Sequence, residues 1–143
     1  MSLRALFSLL LCCFLVSACN KDEVPSREEQ LLGKWNIVES RIKVYKTHNG
    51  SQTVYVDNTS SFEKGKFTKE LLEGGVYIEN TNSTSTWELI DKGNKLKFTS
   101  DARFTYEIVL LSGTTLKLYR KYTFPSTNTD IHTEEETILL ERM

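Results

Sequence analysis

What this 143-residue chain has little of sets the first limits. It holds only three cysteines, Cys12, Cys13 and Cys19, and all of them fall before residue 20. The remaining length therefore has no disulfide framework, no thiolate metal site and no thiol nucleophile, and its stability has to come from packing. Charge of one sign is missing too. Eighteen basic side chains face nineteen acidic ones, a formal charge of −1, which argues against a nucleic-acid surface or a polybasic membrane surface. No serine sits in a G-x-S-x-G setting and no glycine-rich loop has the form of a phosphate cradle. No helical pattern is long enough to serve as a βαβ crossover, and no internal repeat is present. Only Ala5 to Val16 forms a long apolar run, and it is too short to span a bilayer.

That run, with Arg4 before it, suits the h-region of a signal peptide, which ends in Val16-Ser17-Ala18-Cys19. Small residues leading to a cysteine resemble the lipobox of bacterial lipoproteins. The resemblance implies a leader over 1–18, an acylated (palmitate-type) Cys19 as the new first residue, and a tether over 19–25; cleavage after Ala18 beside an unrelated cysteine is the alternative. One acyl chain holds a protein to a bilayer only marginally, whereas two or more make a stable anchor. No aspartate comes directly after Cys19, where Asn20 stands. Lys21-Asp22-Glu23 instead resembles the signal that sends some lipoproteins of Gram-negative bacteria to the outer face of the outer membrane. A plain solvated tether is the competing reading. The expected location is the outer membrane, lipid-anchored and on the cell surface or the periplasmic face.

Residues 26–143 read as one domain, large enough to bury a core without staples. Ser26 and Glu29 have capping-box spacing, and Gly33 suits the left-handed stop of a short helix. Trp35 then opens a β-branched and aromatic run to Tyr45. A short helix followed by Gly33-Lys34-Trp35 resembles the G-x-W opening of the lipocalins. Leu31 to Trp35 is closer still to the lipocalin-like domain of small bacterial lipoproteins. The resemblance implies a barrel base built from Gly33, Trp35 and a basic residue of a late strand, for which Arg142 is the candidate. A core tryptophan beside a helix-stop glycine is the plainer alternative.

From Trp35 onward the periodicity is that of strands. Asn49-Gly50 has the form of a type I′ hairpin turn, and Gly74-Gly75, Gly93-Asn94 and Ser112-Gly113 mark further turns. Strands are expected over 52–57, 75–79, 84–90, 95–99, 103–111, 115–124 and 134–142. Residues 58–73 are open, with Phe62 and Phe67 on a strand or Thr68 to Glu73 as a helical turn. The expected fold is all-β: an antiparallel, up-and-down, lipocalin-like barrel of about eight strands with a short N-terminal helix. A two-sheet sandwich is the alternative.

Alternation gives the inward rows. Phe104, Tyr106, Ile108 and Leu110 are in phase, as are Leu116, Leu118, Arg120, Tyr122 and Phe124, and Ile138, Leu140 and Arg142. Trp35 and Ile37 are out of phase with Ser40, Ile42 and Val44, so a bulge near Ile37-Val38 is expected. Such rows either fill a small barrel or line a pocket. If they line one, the ligand contacts are Trp87, Phe98, Phe104, Tyr106, Arg120 and Tyr122, around a small apolar or amphipathic molecule. Asp130, His132 and Glu134 alternate and would share a face, but the acidic run that follows reads as a solvated strand, so no metal and no cofactor is expected. No residue set reads as catalytic. The chain is expected to be a monomeric, non-enzymatic binding protein whose partners are the membrane, through Cys19, and a small ligand. The alternative is a protein- or glycan-interaction module with a filled core and contacts on loops 46–52, 80–86 and 125–133.

Overall fold

A computed structural model describes residues 24–99, 101–125 and 130–143. The leader, Cys19 and the tether to residue 23 lie outside the described residues. One helix, α1 (Arg27–Leu31), precedes nine strands: β1 (Gly33–His48), β2 (Ser51–Ser61), β3 (Thr68–Leu72), β4 (Val76–Glu79), β5 (Ser83–Ile90), β6 (Lys95–Phe98), β7 (Thr105–Leu111), β8 (Thr115–Pro125) and β9 (Asp130–Arg142). The Ser26 hydroxyl accepts from the Glu29 N–H while the Glu29 carboxylate accepts from the Ser26 N–H, so the capping box is complete.

All pairings are antiparallel, and a ladder between β1 and β9 closes β1 and β3 to β9 into an eight-stranded barrel. Strand β2 is extra. β1 begins beside β3 (Gly33 opposite Leu71, Asn36 opposite Thr68) and from Glu39 onward pairs with β2 instead. The expected bulge is present, with a register shift between Ile37 and Glu39 against β9. It brings Trp35 and Ser40 to the same side. Beyond the barrel rim β1, β2, β8 and β9 continue as a free-standing four-stranded wall, while β3 to β7 stop short. The barrel is therefore lopsided, tall on one side and low on the other.

Gly33 follows the α1 cap, Leu32, with the positive φ expected of it (+114°), and it also opens β1; a Cβ there would meet Arg142 Nη1 at 2.9 Å. Two expectations on local structure are corrected. The Phe104-to-Leu110 row is not continuous. Phe104 sits in a 3-10 turn (Ala102–Phe104), and a shift between Ile108 and Leu110 turns Val109 and Leu110 out to solvent. The segment 58–73 resolves into the end of β2, a loop bearing Phe62 and Phe67, and β3; the ladders to β1 and β4 override the helix-favouring composition of Thr68 to Leu72.

Candidate functional site

The floor of the barrel is a single interlocked unit. Trp35 is fully buried, and its Nε1–H donates to the Leu31 carbonyl at 2.8 Å, which ties β1 to α1. The Arg142 guanidinium lies 4.2 Å from the indole centroid and donates to the carbonyls of Gln30, Leu32 and Gly113. These are orphan acceptors at the helix end and in the β7–β8 turn, and one planar fork answers all three. Leu31, Leu71, Leu96, Leu116, Leu118 and Leu140 complete a fully enclosed layer.

Above this layer the interior is not filled. A cavity of about 330 Å³ is lined by Ile37, Ser40, Ile138, the rings of Phe62, Phe67, Tyr77, Phe98, Phe104 and Tyr106, and the charged side chains Lys69, Glu79, Arg120 and Glu136. Phe98 packs edge-to-face against Tyr77 at 4.9 Å and Tyr106 at 5.9 Å, and Phe62 meets Phe67 in the same way at 4.8 Å. The loop carrying those last two rings is held across the rim. Its Gly65 N–H donates to the buried Asn36 side chain, and the Phe67 carbonyl accepts from the Ile37 N–H.

Every cation in the cavity has its own carboxylate. Lys69 Nζ is 2.6 Å from Glu79 Oε1 and stands 5.1 and 5.3 Å from the Phe98 and Tyr77 ring centroids. Arg120 Nε donates to Glu136 at 2.6 Å, Nη2 to Glu134, and Nη1 to the Arg103 carbonyl. The Tyr106 hydroxyl donates to the same Glu136 oxygen at 3.0 Å. Burial, with the Glu136 charge beside it, pushes the Tyr106 phenol well above its ordinary value. Burial raises Tyr77 as well, with Glu79 adding to it. The cavity is thus an aromatic chamber whose ion pairs are closed on themselves. A ligand anion would have to break one of them, whereas an uncharged molecule would not.

Of the six residues expected to line a pocket, the structure brings Phe98, Phe104, Tyr106 and Arg120 together. Trp87 is excluded from the lining. It is buried in the wall between β4 and β6, and its Nε1–H donates to the Leu72 carbonyl at 3.0 Å. Tyr122 lies beyond Arg120, in a separate cleft higher on the wall. Sequence reasoning missed Phe62, Phe67, Lys69, Tyr77 and Glu79. Tyr77 and Glu79 alternate along β4, and that spacing was a usable signal; Phe62 and Phe67 sit in a loop with no periodicity to read.

Asp130, His132 and Glu134 do share a face of β9, but each has other company. Asp130 pairs with Lys46 and His48, His132 stacks between Tyr55 and Phe124, and Glu134 holds Arg120. Among the described residues no group of three or more His, Cys, Asp or Glu side chains is placed to hold a metal ion. Comparisons with protein-family models, with curated proteins and with solved structures returned no match to this chain.

Proposed function

We propose that this chain is a lipid-anchored, lipocalin-like binding protein of the bacterial cell envelope, tethered through acylated Cys19. Its chamber holds a small apolar or amphipathic molecule without chemistry. The observation that supports this reading best is the chamber of about 330 Å³ with six aromatic rings in its lining, directly above the Trp35 layer. Ligand sites of this kind begin at roughly 300 Å³ and combine apolar walls with a few fixed polar groups. The closed ion pairs narrow the ligand to one without formal charge in its buried part. Neutral apolar matter gains from leaving water and meets no uncompensated field inside. The chamber also weighs against the alternative of a solid barrel acting only through its loops.

Native mass spectrometry of the protein taken from its own envelope tests both halves of the proposal. The expected result is a diacyl- or triacyl-mass increment on the peptide that begins at Cys19, together with a single small molecule released on unfolding. The Ser40→Phe variant, which fills the chamber from β1, is expected to retain the increment and lose the small molecule. A bare polypeptide mass at the amino end would overturn the anchor. The same adduct on parent and variant would overturn the chamber as its site.

A further inference from the structure

The free-standing wall carries a second arrangement, which adjoins the chamber and shares Phe104 and Arg120 with it. On its inner face four rings form a continuous strip across three strands: Tyr122 and Phe124 of β8, His132 of β9 and Tyr55 of β2. Successive centroids are 5.7, 5.6 and 6.1 Å apart. Their interplanar angles are 30°, 45° and 24°. The chamber rings, by contrast, meet at 66 to 78°, the edge-to-face geometry in which rings satisfy one another. The wall rings keep their faces turned broadly the same way and are all at least partly exposed, Tyr55 by 57%. Their stacking covers them only in part, and each ring keeps some surface open to solvent.

The strip opens at its β8 end into a cleft of about 230 Å³ lined by Arg103, Phe104, Arg120, Tyr122, Phe124 and Glu134. Here rings stand beside hydrogen-bonding groups of both kinds. Arg103 is locked by Asp101, which accepts from its Nε and Nη2 at 2.9 and 2.6 Å, and its Nη1 has no partner among the described residues. Glu134 offers Arg120 one carboxylate oxygen, Oε1. Two guanidinium groups meet three carboxylates, those of Asp101, Glu134 and Glu136, so the cleft has no charge to offer an anion.

We propose that this cleft and the ring strip above it bind a neutral oligosaccharide. A pyranose presents polarised C–H groups on its flat side, which suit the negative face of an aromatic ring. Around its edge it presents hydroxyls that each donate and accept, which suit an arginine and a glutamate held side by side. Repeated rings at nearly constant spacing suit repeated sugar units. The proposal does not rest on the chamber's ligand, although the two sites meet at Phe104 and Arg120.

The test is isothermal titration of the full-length protein, in a detergent without a sugar headgroup, with cellohexaose, xylohexaose and mannohexaose. At least one is expected to bind with a Kd of about 1 mM or tighter. Phe124→Ala and Arg103→Ala are each expected to weaken that binding about tenfold or more, and Ser40→Phe, inside the chamber, to leave it unchanged. Arg103 is an exposed loop side chain, so its variant reports binding even if Phe124→Ala disturbs the wall. The absence of binding by all three sugars would overturn the proposal. So would parent-like affinity in Arg103→Ala, or saturable binding of decaproline in place of every sugar.

Discussion

Arg142 is the residue on which the barrel floor depends most. Its guanidinium answers the carbonyls of Gln30, Leu32 and Gly113 and covers Trp35. Arg142→Ala would take the donor from two partly buried carbonyls, those of Gln30 and Leu32, and from the exposed one of Gly113, at about 1–3 kcal/mol for each that water cannot reach, and would remove the cation–π contact. We expect a clear fall in unfolding free energy in a urea titration, and Arg142→Lys to recover less than half of it, because an ammonium cannot reach three divergent carbonyls. Gly33→Ala is expected to act on the same contact, since its Cβ would displace Nη1 and its φ of +114° disfavours any side chain. At the rim, Tyr106 supplies a pH prediction. A phenol whose pKa is raised in the folded state contributes stability that is complete below the unfolded value near 10 and is lost as pH climbs toward the folded one. Unfolding free energy should therefore fall above about pH 10, and Tyr106→Phe should flatten that fall; an unchanged slope would reject it.

The strands differ in how they are held, and that difference is measurable. β9 is paired along its length by β1 on one side and β8 on the other. β2 is paired by β1 alone and leaves its other edge open, with Val54, Tyr55 and Val56 exposed. In native-state hydrogen exchange β9 is expected to be among the last elements to exchange and β2 the first of the long strands. Equal protection in the two would mean that the wall is not free-standing. Much at this level was legible in the sequence, because it is local. Ser26 with Glu29, the Asn49-Gly50 turn and the phase conflict between Ile37 and Ser40 each name their structure within a few residues. What was not legible depends on pairing at a distance. Nothing near Ser51 to Ser61 tells that β1 changes partner at Glu39 and leaves β2 outside the closed barrel. Thr68 to Leu72 has the composition of a helix turn and becomes a strand through its neighbours, so the place of Lys69 in the chamber was hidden with it. Trp87 was misplaced because alternation gives the face of a strand but not where a ring turns: its cross-strand partner Phe98 lines the chamber, while the indole is drawn to the Leu72 carbonyl.

For the whole molecule, an occupied chamber should raise stability by mass action, by about 2.7 kcal/mol when the free ligand stands at a hundred times its Kd. Under the proposed function, protein stripped of any adduct is expected to melt several degrees below protein purified directly from its own cells, with the gap closing in Ser40→Phe. The molecule also has a direction. The described chain begins at α1, where Arg27 touches Asn94 in the β5–β6 turn, and it ends where the Met143 N–H meets the Lys34 carbonyl, so both ends leave from the floor. The chamber mouth and the wall stand at the opposite pole. Were the amino end fastened to a bilayer, the opening would look away from it, and cargo would arrive from the aqueous side, meeting the tall face before it dropped over the low rim. A tag fused after Met143 would then sit on the membrane side and leave that approach clear.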